Sequence, residues 1–175
     1  MRLQIIETVA DLSDRLSDLR AQGANIGFVP TMGSLHAGHV SLVEASVAEN
    51  DTTVLSIFVN PLQFSPDEDF DNYTRNIQAD IACSKRHGVD IVFNPPPSEV
   101  FPAGAEIDVK AGEFARLFEG IYRPTHFDGV ATVVARLFRI LGDCSAYFGE
   151  KDFQQLVVCL LYTSPSPRDG LLSRM

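Results

Sequence analysis

The sequence predicts an α/β fold, a parallel sheet flanked by helices, on two patterns. Strand, helix and strand follow one another between residues 26 and 59, and a further helix and strand extend the alternation to residue 94.

The elements read in order as follows. Val9, Leu12, Leu16 and Leu19 recur at helical spacing through residues 9–20, with Asp and Arg on the other face and Gly23 beyond the end. Ile26–Val29 is a short apolar run stopped by Pro30, and Thr53–Val59 a second one ahead of Pro61; both predict buried strands. Between them, residues 37–50 carry Val40, Leu42, Val43, Ala45 and Val47, a largely apolar crossover helix. A helix over 75–87 stops at Gly88 and is followed by a strand, Asp90–Asn94, running into Pro95, Pro96 and Pro97. A short helix is predicted over 112–119. A longer one follows over 129–141, where Val130, Val133, Val134, Leu137, Phe138 and Leu141 form a wide apolar face. Ala146–Phe148 reads as the last strand and Lys151 onward as a helix start. The run from Tyr162 through Pro165 and Pro167 to Gly170 breaks the pattern and reads as linker, frayed end or translated scar.

Composition bounds the function. A chain of 175 residues, 45% hydrophobic, makes one domain or slightly more, and at this size buries roughly 70% of its unfolded surface, so it needs no disulfide framework. Fourteen Lys and Arg against 23 Asp and Glu leave a net charge of −9, which disfavours nucleic acid as a partner. Cys83, Cys144 and Cys159 are odd in number, far apart and in mostly apolar contexts, the usage of a reducing compartment. No apolar run approaches the roughly 18 residues of a membrane span, and acidic residues precede any signal-peptide core. A soluble, cytoplasmic protein with no membrane partner is expected.

The most informative stretch, Pro30-Thr31-Met32-Gly33-Ser34-Leu35-His36-Ala37-Gly38-His39, lies between the first predicted strand and its crossover helix. In an open α/β sheet that carboxyl-end crevice binds ligands. His36 and His39, three apart, face one side at a helix start, where amides and the helix dipole meet an anion. Gly33 and Gly38 permit close backbone approach, and imidazoles can donate to phosphate oxygens, as nucleotidyl transfer requires. The plainer readings are a chance pair or half of a zinc site, the latter with no nearby Cys or His to complete it.

Asn60 and Gln63 put two carboxamides at the same sheet edge, suited to a hydroxy acid or amide; alternatively Asn60-Pro61 is an ordinary turn with Gln63 in solvent. After the last strand, Gly149-Glu150-Lys151-Asp152 opens a helix. There Lys151 offers a point charge for phosphate, Asp152 can orient ribose, metal or Lys151, and Gln155 can reach substrate; a capped helix start is the plainer reading. His126 lines a pocket or caps its own turn. The acidic run Asp67, Glu68, Asp69 and Asp71 reads as a solvated loop rather than a metal site.

Together these blocks resemble the pantoate:β-alanine ligase (pantothenate synthetase) family. The resemblance is carried by Gly27-Phe28-Val29-Pro30-Thr31-Met32-Gly33 with Leu35-His36 and Gly38-His39, by Phe58-Val59-Asn60-Pro61 with Gln63-Phe64, by Arg123-Pro124 with His126-Phe127, and by Phe148-Gly149-Glu150-Lys151-Asp152 with Gln154-Gln155. It runs in order from about residue 3 to 158.

The resemblance implies a Rossmann-like nucleotidyltransferase domain of the HxGH type. The implied reaction is ATP-dependent condensation of pantoate with β-alanine through a pantoyl adenylate, releasing pyrophosphate and AMP, with Mg²⁺. It implies His39 as proton donor, with His36 and Lys151 beside it in the chemistry. Met32, Gly33, Ser34, Leu35, His36, Ala37, Gly38, His39, Gly149, Glu150, Lys151 and Asp152 would line the ATP site. Gln63, Gln155 and Asn60 would meet the substrates, and a homodimer is expected. Family members continue into further strands, a Ser-Ser-Arg loop and a smaller C-terminal domain. Residues 1–158 therefore correspond to the ATP- and pantoate-binding domain and 159–175 to an atypical tail, with activity lowered by the missing lid. The competing expectations are a non-catalytic nucleotide-binding fragment and another HxGH nucleotidyltransferase.

Overall fold

Five parallel strands, β1 (Gln4–Ile6), β2 (Ile26–Thr31), β3 (Thr52–Ile57), β4 (Ile91–Phe93) and β5 (Ser145–Ala146), form one sheet in the order β1-β4-β3-β2-β5. The structure, a computed structural model, describes residues 3–64 and 76–163. The helices are α1 (Val9–Ala21), α2 (Ala37–Glu49), α3 (Ile77–Arg86), α4 (Pro97–Val100), α5 (His126–Leu141) and α6 (Phe153–Thr163). The predicted α/β class and parallel sheet are observed. The acidic run 67–71 lies outside the described residues, as do Arg75 and the tail from 164.

Alternation along the strands builds two cores. Ile26, Phe28, Val54, Ile91 and Phe93 point to one face, where they meet Leu12, Leu16 and Leu19 of α1, the apolar face of α5 and Leu156 of α6. Val29, Leu55, Ile57 and Val92 point to the other, against Val43 of α2 and Tyr147. A 13-residue helix such as α1 is marginal in isolation. Burial of its three leucines, at roughly 1.5–3 kcal/mol each, holds it in place. Thr8 caps its first turn, and Glu99 Oε2 accepts from Val9 N at 2.6 Å, which ties α4 to it.

Several boundaries differ from the sequence expectation for identifiable reasons. The three-residue β1 has no counterpart in that expectation; too short to show alternation, it is fixed by its neighbour, with Gln4 N donating to Asp90 O and Asn94 N to Ile6 O. Strand β2 does not stop at Pro30 but continues to Thr31. Phe28 O accepts from Tyr147 N on the β5 side, so Pro30, two residues on, turns its ring nitrogen to that same side, where pairing with β5 has ended. Strand β3 ends at Ile57 rather than Val59, and the expected Ala146–Phe148 strand is the pair Ser145–Ala146. The helix expected over 112–119 is instead two 3₁₀ turns, Phe114–Arg116 and Phe118–Ile121. Helix α5 begins three residues early, at His126. Helix α6 runs on past Val158 to Thr163, with Cys159 in the core. Of the cysteines, only Cys159 is fully buried; Cys83 and Cys144 are half-buried, and all three are free thiols. No described helix is long and apolar enough to cross a membrane.

β2 is where strand order reverses: the chain builds outward through β3 and β4 on one side and returns to β5 on the other. A crevice at the carboxyl ends of β2 and β5 follows from that topology.

Candidate functional site

Three turns converge on that crevice. The first leaves β2 through Gly33, at φ +88°, and Ser34, at φ +52°, before α2 begins. Thr31 Oγ1 donates to Ser56 O at 2.6 Å and accepts from Gly33 N at 3.2 Å. The buried Asp80 carboxylate of α3 accepts from Ser34 N at 2.9 Å and Leu35 N at 2.8 Å. A Cβ on Gly33 would stand 2.8 Å from Asp80 Oδ2, so an internal close approach already requires glycine here.

His36 and His39 share one side, as predicted, with ring centroids 4.0 Å apart and planes 27° from parallel. They also cap the helix they begin. His36 Nδ1 accepts from Gly38 N at 3.1 Å, and His39 Nδ1 from His36 N in a longer contact of 3.4 Å. An accepting Nδ1 puts the neutral ring's proton on Nε2, so each imidazole keeps a donor away from the helix. Two amides expected to face a ligand are thereby occupied. Gly38 sits beneath the His36 ring, where a Cβ would lie 3.0 Å from Cε1. Burial, followed by the neighbouring His36, holds His39 below the ordinary histidine value of 6.5; Asp80 and Asp152 oppose this, and Lys151 adds to it.

The second turn follows β3. Asn60, 1% exposed, donates from Nδ2 to Gln63 Oε1 and to Gly129 O, both at 3.1 Å, and accepts from Leu62 N at 3.2 Å. Its carboxamide orients Gln63 and joins the turn to α5. Gln63 Nε2 lies 2.9 Å from Met32 Sδ. From α5, His126 Nδ1 is 2.8 Å from Gln63 O, and Arg123 donates to the same oxygen at 3.1 Å and to Glu119 at 3.1 Å. Of the two readings the sequence left open, His126 borders a cavity; its side chain does not cap its own turn but braces the turn after β3.

The third turn, Gly149 with the 3₁₀ segment Glu150–Asp152, leads from β5 into α6. The Lys151 side chain is 89% exposed, 3.6 Å from Asp152 Oδ1, and projects as a point charge on a flexible stem.

The cavities register this convergence. One of ≈170 Å³ lies between Pro30 and Thr31 of β2 and Phe148 after β5, with Val130, Val133 and Val134 as an apolar wall and His39, Asn60, Gln63, Asp152 and Gln155 as polar groups. A second of ≈400 Å³ shares Met32, Gln63, Asp152 and Gln155 with it and adds Glu119, Arg123, His126 and Lys151. The smaller recess sets carboxamides against an apolar wall, and the wider one carries both acidic and basic side chains. The larger cavity of ≈520 Å³, bounded by Met32, Asp80 and Pro95–Pro97, includes none of the other predicted residues.

Of the predicted set, Met32, His39, Asn60, Gln63, Lys151, Asp152 and Gln155 border the two joined cavities. Ser34, His36, Ala37, Gly38, Gly149 and Glu150 are exposed or half-exposed on the flanking turns. Gly33 is buried beside Asp80, and Leu35 packs against the core on the α2 side of the sheet. The sequence reading missed Asp80, Glu119 and the bracing role of Gln154, which donates to Phe114 O and Leu117 O. Asp80 is signalled faintly, as a polar residue at the sheet-facing spacing Ile77, Asp80, Ser84.

The chain is similar to proteins of one family over most of its length. The family model described as pantoate-beta-alanine ligase matches residues 4–161. Pantothenate synthetase of Staphylococcus haemolyticus is 49% identical over 155 residues, 89% of this chain and 55% of the relative; that of Staphylococcus saprophyticus is 48% identical over the same shares. Among solved structures, pantothenate synthetase from Thermus thermophilus aligns with TM-score 0.83 and 46% identity, covering 92% of this chain and 57% of that one. Pantoate-beta-alanine ligase from Francisella tularensis, complexed with beta-gamma ATP and beta-alanine, aligns with TM-score 0.87 and 37% identity, covering 93% and 62%. The chain spans about half the length of the curated relatives it matches. With a family model matched over most of its residues, the chain belongs to the pantoate-beta-alanine ligase family.

Proposed function

We propose that this chain binds ATP and pantoate and carries the adenylating half of pantothenate synthesis. The observation that supports it best is the pair of joined cavities, which puts His39, Gln63, Asp152 and Gln155 at the carboxyl edge of β2 and β5.

In this reading the pantoate carbon skeleton packs against Val130, Val133 and Val134, and the carboxamides of Gln63 and Gln155 take its hydroxyl and carboxylate. A pantoate carboxylate oxygen attacks the α-phosphorus; the bond from that phosphorus to the bridging oxygen breaks, and pyrophosphate leaves with the electron pair. Both reactants are anionic, so the barrier is one of positioning and charge. His36 and His39 donate from Nε2, and Lys151 reaches the phosphates as a cation. The β-alanine amine then attacks the acyl carbon, AMP departs, and the amine loses its proton. The Francisella relative, complexed with beta-gamma ATP and beta-alanine, supports the choice of ATP and β-alanine.

Among the described residues no group of three His, Cys, Asp or Glu could hold a metal. Asp152 and Glu119 are the carboxylates on the cavity wall that would hold a Mg²⁺ accompanying the triphosphate, and the ion would supply neutralisation of phosphate charge. The same reading carries a cytoplasmic homodimer. Phe118, Ile121 and Tyr122 are among the exposed large apolar side chains available for it, and sedimentation velocity checks it.

The test is pyrophosphate release from ATP and Mg²⁺ by residues 1–175, with and without pantoate. Pantoate-dependent release that disappears in His39→Ala supports the reading. ATP binding without release identifies a nucleotide-binding fragment instead. Release driven by a different acceptor identifies another nucleotidyltransferase.

A further inference from the structure

The Asp80 carboxylate, 4% exposed and carried by α3, is buried against a turn of a different element. Its two oxygens accept from the consecutive amides of Ser34 and Leu35, at 2.9 and 2.8 Å, in place of a cationic side chain. A buried carboxylate is costly unless its hydrogen bonds are satisfied, and charge-assisted bonds of this kind are about twice as strong as neutral ones. The turn is shaped to receive it: Gly33 and Ser34 both adopt positive φ, and any side chain on Gly33 would collide with Asp80 Oδ2. That turn is the only covalent lead from β2 into the paired histidines that start α2.

We propose that Asp80 is a positioning residue of the nucleotide site: by holding the Ser34 and Leu35 amides it fixes the turn that delivers His36 and His39. This deepens the function proposed above and rests on it for the identity of the site. Asp80 itself borders neither of the two joined cavities, so its effect reaches the ligands through the histidine turn.

The charge effect has a defined sign. The groups acting on His39 are His36 on its own helix, Asp80 from α3, and Lys151 and Asp152 from the turn after β5. Asp80 and Asp152 favour the imidazolium; His36, Lys151 and burial oppose it. Removing the Asp80 charge leaves Asp152 alone against the other three.

The experiment is an NMR pH titration of the histidines in residues 1–175, with hydrogen exchange at the Ser34 and Leu35 amides, in the wild type and Asp80→Asn. Asp51→Asn is the control: Asp51 also accepts from a backbone amide, that of Asn25 at 2.9 Å, and does not act on His39. In Asp80→Asn the His39 midpoint falls, and exchange at the two amides rises on the order of tenfold; Asp51→Asn changes neither. A folded Asp80→Asn protein with both readouts unchanged overturns the proposal, because a purely structural carboxylate would not be linked to the His39 titration. Should Asp80→Asn fail to fold, Asp80→Glu decides: its longer arm keeps the charge but cannot meet both amides in the same geometry, so exchange at Ser34 and Leu35 rises, and a folded Asp80→Glu protein with that exchange unchanged overturns the proposal. Neither readout needs catalysis, so a chain that shows the coupling but releases no pyrophosphate refutes the function proposed above and not this one.

Discussion

His126 Nδ1 lies 2.8 Å from the Gln63 carbonyl oxygen, pinning the start of α5 to the turn after β3. Donation from Nδ1 leaves Nε2 to accept from Arg123 at 3.3 Å, so the ring is held at both nitrogens. His126→Ala leaves that carbonyl with Arg123 alone. Loss of one such bond costs about 1–2 kcal/mol. The expected outcome is a several-fold rise in the pantoate concentration needed for half-maximal pyrophosphate release, with a smaller change in the rate at saturation, read by steady-state kinetics.

The same junction predicts a contrast between two glycines. A Cβ at Gly129 would lie 2.2 Å from Leu62 O, which is backbone and cannot swing away, whereas one at Gly149 meets nothing within 4 Å at an ordinary φ of −79°. Gly129→Ala is expected to destabilise by about 2 kcal/mol or more. Gly149→Ala leaves stability unchanged or raises it by about 0.5 kcal/mol through the unfolded state. Urea denaturation midpoints distinguish the two.

His39 links stability to pH. Its folded value is depressed below the ordinary 6.5, so between the two values the unfolded chain binds more protons than the folded one, and stability falls as the pH is lowered from 6.5 through that window. Thermal melts across this range are expected to decline less steeply in His39→Gln than in the wild type.

Lys151 separates chemistry from architecture. Its exposed ion pair with Asp152, at 3.6 Å, contributes little. Lys151→Met is expected to leave the denaturation midpoint in place while weakening ATP binding several-fold, as measured by calorimetry. Unchanged ATP affinity would remove Lys151 from the phosphate site.

Burial raises the thiols of Cys144 and Cys159 to about 12. At pH 8 about one in ten thousand of each is thiolate. Iodoacetamide is expected to leave both unmodified in the native protein and to label both in urea, as read by mass spectrometry.

The parallel sheet and the three converging turns are legible in residue patterns because each rests on local chemistry: apolar runs for β2 and β3, a proline or glycine at each exit, a histidine pair at a helix start. What is not legible depends on distant partners. β1 is three residues whose pairing is supplied by β4. Pro30 looks like a strand terminator until the length of β5 is known. Asp80 looks like an exposed helix residue until Ser34 and Leu35 arrive, the latter from 45 positions away. Asn60 borders the recess, and the sequence does not show that its carboxamide also ties Leu62, Gln63 and Gly129 together.

Pro30 also bears on how the cleft stays open. β2 and β5 pair over two residues, and the next position able to extend the ladder has no hydrogen to offer. The two strands consequently diverge like a fastener stopped partway, and the ≈170 Å³ recess occupies the fork, with Pro30 and Thr31 on one tine and Phe148 beyond the other. A cleft between adjacent strands risks being annealed by the sheet itself; an imino acid at its apex denies the sheet that option without any loop or lid having to prop it apart.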